Sequence, residues 1–349
     1  MTEARTTGLR AAMAGIGLDG LVITKRENIR YLSGFTGSSA VAVVTGDQGT
    51  LITDGRYREQ AALEAQSWEV VIYSKDLMGA VAEALGDAAS VGLEDSTTLA
   101  FRKRLAVALG DTGLEPTEGL VERLRTIKEP GELEAIRGAV ACAHQAWETL
   151  LPMLQPGVSE RQLAAGLDYR MMSAGAEKPA FDTVVASGPN SSMPHAGITD
   201  RVLVAGDLVV IDFGALKDGY CCDITRTVCL GEPDDRSREV LEAVLQAWDA
   251  AYAKLEVGVP VADADCAARE KLAELGLAEY FVHSLGHGVG LEVHEKPTLS
   301  QLSQATLEPG MVFTVEPGVY IEGSMGVRHE ETVALTEGGV EILSRNITF

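Results

Sequence analysis

Between residues 9 and 125 the apolar positions gather into short runs, LVIT (21–24), VAVVT (41–45), TLITD (50–54), WEVVIY (68–73) and SVGLE (90–94). Between and after them, stretches such as 77–88 and 98–109 carry apolar residues at helical spacing. Short β-forming runs separated by helical segments predict a small α/β domain. In TIKEPGELEAI (126–136), Pro130 suits a first helical turn, where its missing N–H costs nothing, so a helix begins there and the inter-domain link falls near residue 126. Leu133, Ile136, Val140, Trp147, Leu150 and Leu154 then recur at helical spacing, with His144 on or beside the stripe as a helix-face residue. Helices are predicted again near 159–174, 235–255 and 262–275, and strands dominate the rest from about 181. The chain is therefore expected to be an α/β domain over 1–126 followed by an α+β domain over 127–349.

Composition narrows the function classes. Two domains suit 349 residues. No apolar run approaches the roughly 18 residues of a membrane span, and MTEARTTGLRAAMAGIGLDG lacks the apolar core of a secretory signal, so a cytoplasmic setting is expected. The formal charge of −22 repels nucleic acid and anionic membranes, and neither is expected as a partner. Five cysteines with no C-x-x-C pair make neither a disulfide framework nor a zinc ribbon. Cys221 and Cys222 are adjacent, and neighbours on a strand point to opposite faces, which argues against a shared soft-metal site.

Candidate chemistry begins with HSLGHGVGLEVHE (283–295), which holds His283, His287 and His294, three of the chain's six histidines. His283 and His287 have the spacing of a zinc-protease helix, but Gly286, Gly288 and Gly290 each cost a helix about 1 kcal/mol. A strand or loop passing close to something fits better. An internal echo points to that something. LVAGDLVVIDFG (203–214) and LEPGMVFTVEPG (307–318) align without a gap at an offset of 307 − 203 = 104, matching Asp212 with Glu316 and Gly214 with Gly318. A duplicated unit is expected.

Each copy runs on into a second acidic strand. Asp218-Gly219 signals a two-residue hairpin that sets Thr225 opposite Asp212, so Asp212 and Asp223 share a face with Cβ atoms within about 7 Å. In VRHEETVALT (327–336), Glu330 or Glu331 can share the face of Glu316, but not both. Four acids converging with a histidine suit a pair of divalent ions. An oxygen-rich set favours manganese, with cobalt or zinc as alternatives.

Taken together and in order, IDFG (211–214), CDITRT (222–227), HSLGHGVG (283–290), VEPG (315–318) and VRHEET (327–332) resemble the pita-bread metallopeptidases of the aminopeptidase P and prolidase branch. The resemblance spans the chain, with a creatinase-type domain over 1–126 and the catalytic domain over 127–349. It implies a dinuclear metal site on Asp212, Asp223, His287, Glu316 and Glu330. It implies that Glu316 also orients the attacking water, and that His195, His283 and His294 act on substrate while Arg328 holds the site or substrate. His329, where the family usually has an aliphatic residue, is expected to be structural. The implied substrates are peptides with proline second, and the implied assembly is a homodimer, with DGRY (54–57) as a candidate contact unless it is a plain strand-to-helix turn. Short turns and no inserted loop favour an open cleft, hence aminopeptidase P rather than the dipeptide-restricted prolidase. Methionine aminopeptidase, creatinase and a non-catalytic pita-bread binding protein fit less well.

Overall fold

The elements of the computed structural model, which describes residues 2–110 and 113–345, follow the apolar pattern closely. Gly20–Ile23, Ala40–Thr45, Gly49–Asp54, Glu69–Tyr73 and Ser90–Glu94 are strands at the five apolar runs. A sixth, Gly113–Thr117, escaped the apolar criterion because it lies at the sheet edge, mostly exposed, where Pro116 is tolerated. The resulting six-stranded mixed sheet buries Val22, Val43, Ile52, Val91 and Leu93 beneath helices that supply Val81, Leu85 and Leu105. DGRY forms the turn between a strand and a helix. The Asp54 carboxylate accepts the Arg56 N–H at 3.0 Å and starts the short helix Gly55–Tyr57, which leads into Arg58–Glu64.

By internal packing the chain divides into Met1–Arg125 and Thr126–Phe349. The second unit is built twice over. A long helix, Pro130–Leu150 or Asp235–Tyr252, is followed by a 14-residue helix, Glu160–Ser173 or Val261–Glu274. A glycine then ties each pair to its strand. The Gly157 N–H donates to the Leu203 carbonyl at 2.9 Å, and the Gly258 N–H to the Leu307 carbonyl at 2.8 Å. In return Leu203 donates to Val158 and Leu307 to Val259, both at 2.9 Å. Each half has its own core, one around Trp147, Leu163, Leu167 and Phe213, the other around Trp248, Leu272 and Phe313. The helical parts are offset by 258 − 157 = 101 residues and the strand parts by 104, so an ungapped alignment of the strands misses the helices. The signal was present in QAWE (145–148) and QAWD (246–249).

Strand register sets the site. Asp218 and Gly219 both have positive φ, 49° and 79°, the turn for which Asp-Gly is suited. Lys217 faces Tyr220, Phe213 faces Ile224 and Asp212 faces Thr225, the pairing the turn predicts. In the other half Val312–Val315 pairs with Glu331–Thr336, and a bridge from Thr225 to Glu330 joins the halves. On the opposite face of that bridge the buried Arg226 guanidinium reaches the Glu331 carboxylate at 2.7 Å and the Glu330 carbonyl at 2.6 Å. No helix among the described residues is long and apolar enough to cross a membrane.

Replacing Arg226 by Met leaves Glu331 buried without its counter-charge, and urea unfolding should show a loss of about 3–5 kcal/mol. Adding Glu331→Leu to that variant should recover part of the loss. A single variant as stable as the parent would mean that the pair does not join the halves.

Candidate functional site

Four acids stand at the ends of four strands. Asp212 is the penultimate residue of Leu208–Phe213, and Asp223 immediately precedes Ile224–Cys229. Glu316 follows Val312–Val315, and Glu330 precedes Glu331–Thr336. The alternation that left Glu330 and Glu331 as alternatives is resolved by Arg226, which holds Glu331 on the far face. His287 lies in the short strand Gly286–Gly288, paired with Glu295–Leu299 and with Val312–Val315. The glycine there is needed for close approach, since a Cβ on Gly286 would overlap the Thr314 carbonyl.

The His287 ring is oriented from behind. Its Nδ1 faces the Gly288 carbonyl oxygen at 3.1 Å, which places the hydrogen on Nδ1 and leaves the Nε2 lone pair outward. Nε2 lies 3.6 Å from an oxygen of Asp223 and 3.4 Å from one of Glu316. A lone pair facing two carboxyl oxygens is unfavourable unless a proton or a cation lies between them. Burial pushes the imidazole down to about 4, so near neutral pH the ring is uncharged and forms no ion pair. Without a cation, the surroundings favour protons on the acids instead. Burial, reinforced by the neighbouring carboxylates, raises Asp223 and Glu330 well above the usual range and pushes Glu316 up to about 8.

These residues fit a cation. Asp223, His287 and Glu330 each bring one donor atom to within 4.8 Å of the others. One oxygen on each of Asp212, Asp223 and Glu330 is buried with no hydrogen-bond partner, a state seldom tolerated in a folded core. The other oxygens of Glu330 and Asp212, and one oxygen of Glu316, are tethered. Thr225 donates to Glu330 at 2.6 Å, Thr314 to Glu316 at 3.2 Å and Arg328 to Asp212 at 2.5 Å. Such donors aim carboxylates toward a metal from behind.

The remaining expected residues separate into two groups. His294 is exposed, with its ring 4.3 Å from that of His287, and His195 is exposed on the segment after Gly188–Ser192. His283 is enclosed, and burial pushes it down to about 4. Its Nδ1 faces the Ser284 carbonyl at 2.8 Å, so Nε2 accepts from the Tyr320 hydroxyl at 3.1 Å, which itself accepts from Arg328 at 2.8 Å. Arg328 is buried and also grips Thr225 and the Pro194 carbonyl. Tyr320, Thr225 and Thr314 were not singled out in the sequence. Thr225 had a signal, since the hairpin sets it opposite Asp212. His329 turns away and meets Trp248 edge-on at 5.7 Å. Cys221 and Cys222 are buried, with burial raising both thiols. His144 sits half-exposed on its helix, 3.5 Å from Glu148.

Known proteins resemble both parts of the chain. Residues 134–337 match the model of metallopeptidase family M24, and residues 5–127 that of the creatinase/prolidase N-terminal domain. An uncharacterized peptidase, YqhT, of Bacillus subtilis is 41% identical, with 95% of each chain aligned. Among solved structures, an Xaa-Pro dipeptidase from Bacillus anthracis superposes with a TM-score of 0.96 at 38% identity, covering 99% of this chain and 98% of that one. An X-Pro aminopeptidase from Thermotoga maritima gives 0.89 at 39%, covering 96% and 97%.

The acids predict an unusual pH dependence for metal-free protein. Glu316, titrating near 8 when folded and near 4.5 when unfolded, holds its proton only in the native state across that interval, so stability falls as pH rises through it. His283 and His287, depressed to about 4, act oppositely, but only up to the ordinary histidine value of 6.5. His329, depressed to about 3, acts like them, and between about pH 7 and 8 the acids dominate. Chelator-treated protein should therefore unfold at lower urea at pH 8 than at pH 7, and added divalent metal should restore more stability at pH 8. A midpoint that rises between these pH values would contradict the protonated-acid arrangement.

Proposed function

Since the chain belongs to metallopeptidase family M24 and carries a creatinase/prolidase N-terminal domain, we propose that it hydrolyses the bond between a peptide's first residue and a proline at the second position. The observation that carries this reading is the set of strand-end acids around the outward lone pair of His287, with the exposed His294 and His195 beyond the donor set. We assign two divalent ions to Asp212, Asp223, His287, Glu316 and Glu330. Manganese is preferred for the predominance of carboxylate oxygen. Held by these residues, such ions would supply the positive charge that activates a water near neutral pH and polarises the scissile carbonyl.

The protein's own groups do the rest. Glu316, the acid that Thr314 tethers beside His287, accepts the proton of the attacking water and hands it on. His294 donates to the oxyanion developing on the scissile carbonyl, and His195 faces the substrate around the proline. The departing proline nitrogen carries no N–H in the peptide and leaves only when protonated, which makes the relay through Glu316 part of bond cleavage. His283 acts through Tyr320, keeping that hydroxyl on Arg328 and Arg328 on Asp212. The net charge of −22 favours approach of a cationic peptide N-terminus.

Two substrate lengths are open to this chemistry. A dipeptidase needs a cation for the carboxylate that directly follows proline, best supplied by an arginine fork. Three arginines of the second unit are already paired: Arg226 with Glu331, Arg269 with Asp265 and Arg328 with Asp212. That favours release of the first residue from longer peptides, as an aminopeptidase P would do. The dipeptidase reading has in its favour the name of the relative from Bacillus anthracis.

His294→Ala should keep the metal content of the parent, measured by elemental analysis, and lose about 10²-fold in kcat. Loss of an ion together with restored turnover on metal addition would make His294 a ligand instead. The substrate-length question is decided by kcat/KM for one Xaa-Pro dipeptide against the same sequence extended by one and by three residues. The extended peptides should be the better substrates, and a strong preference for the dipeptide would establish the alternative.

A further inference from the structure

Glu160, the first residue of helix Glu160–Ser173, is a fully buried carboxylate surrounded by donors, none of them a cation. One oxygen accepts from the Ser187 N–H and from the Ser187 hydroxyl, both at 2.7 Å, and from the Asn190 amide at 3.1 Å. The other accepts from the Thr199 N–H at 3.3 Å and from the Thr199 hydroxyl. Ser187 and Thr199 bracket the segment that carries His195. A single carboxylate therefore ties together both ends of that segment. Its middle is held from the opposite side. The Gly326 N–H donates to the Ser191 hydroxyl at 2.8 Å, and Arg328 donates to the Pro194 carbonyl, next to His195, at 3.1 Å.

The duplication provides an internal control. The Glu160 N–H donates to the Arg201 carbonyl at 3.0 Å, and the Val261 N–H donates to the Ala305 carbonyl at 3.0 Å, so Glu160 and Val261 occupy equivalent places. Val261 is fully buried. The helix start accepts an apolar side chain in the half where residues 286–288 form a strand carrying His287, and has a carboxylate in the half whose connection carries His195. Helix formation alone does not call for a buried acid at this position.

We infer that Glu160 is a positioning residue: by clasping Ser187, Asn190 and Thr199 it sets where His195 meets the substrate. The inference rests on the role proposed above for His195. The Ser187 hydroxyl extends the clasp, since it accepts from Arg201 at 2.6 Å while Arg201 pairs with Asp207, the residue before the strand that carries Asp212.

The test is a double-mutant cycle on the metal-loaded full chain, with Glu160→Gln, His195→Ala and the pair assayed on an Xaa-Pro peptide. Gln keeps one acceptor and turns an amide toward donors, releasing one end of the segment. We expect Glu160→Gln to reduce kcat/KM on the order of 10-fold at unchanged metal content, the scale of a lost charge-assisted hydrogen bond that fixes a geometry. We expect no further reduction when His195 is already Ala. Asn190→Ala, at a half-exposed position, should couple to His195→Ala in the same sense and serves if Glu160→Gln does not fold. A reduction that persists in full on the His195→Ala background would overturn the inference and leave Glu160 a purely structural acid. A His195→Ala variant with parental kcat/KM would instead overturn the assignment of His195 to substrate, and the positioning role with it.

Discussion

Burying Asp212, Asp223, Glu316 and Glu330 around one imidazole is the constraint to which the second unit is shaped. Like charges at such distances cannot all ionise without a counter-charge. Among the described residues Arg328 is the guanidinium that reaches them, and it touches only Asp212 directly. The rest must be neutralised by protons or by cations. Everything nearby keeps the acids together despite this cost: two antiparallel strand pairs bridged at Thr225 and Glu330, threonine hydroxyls behind the carboxylates, and a core on each side. Metal binding and folding are consequently coupled, since a cation that replaces protons removes a destabilisation already present in the metal-free fold.

The duplicated construction explains how four acids come to face each other. Each half delivers its pair from the same two places, the end of one strand and the start of the next, with Asp212 and Asp223 in one and Glu316 and Glu330 in the other. The halves are not identical. His287 has no imidazole counterpart beside Asp212, and the valine at 261 stands where the other half has Glu160.

Local signals were legible in the sequence, and contacts between distant segments were not. Asp218-Gly219 disclosed the register of its hairpin because turn type and strand pairing are both short-range, and the shared face of Asp212 and Asp223 followed. The strand echo was visible because its spacing is constant. The helical half of the same duplication was hidden by a three-residue change in offset, although the repeated QAW lay in view. Glu330 and Glu331 could not be told apart by periodicity, since that choice depends on Arg226, 105 residues away from Glu331. Tyr320 was invisible for the same reason: its hydroxyl matters only through His283 and Arg328. The edge strand at 113–117 was missed because an exposed edge needs no apolar pattern.

The back-to-back placement of Glu330 and Glu331 has a consequence for how the chain finds its alignment. One carboxylate faces the acids and the next faces Arg226, so sliding this strand by a single residue would turn both over. In one direction Glu331 would enter the crowd of acids and Arg226 would be left against the uncharged Thr332; in the other, His329 would take the place of Glu330 among the acids. Hydrophobic alternation penalises such a slip by exposing side chains. Here the penalty is also electrostatic, and it acts in the interior, where charge is least screened. The strand order of the second unit is thereby proofread by charge, and the two glutamates act as a parity mark along a strand whose remaining residues, Thr332 to Leu335, are buried on both faces.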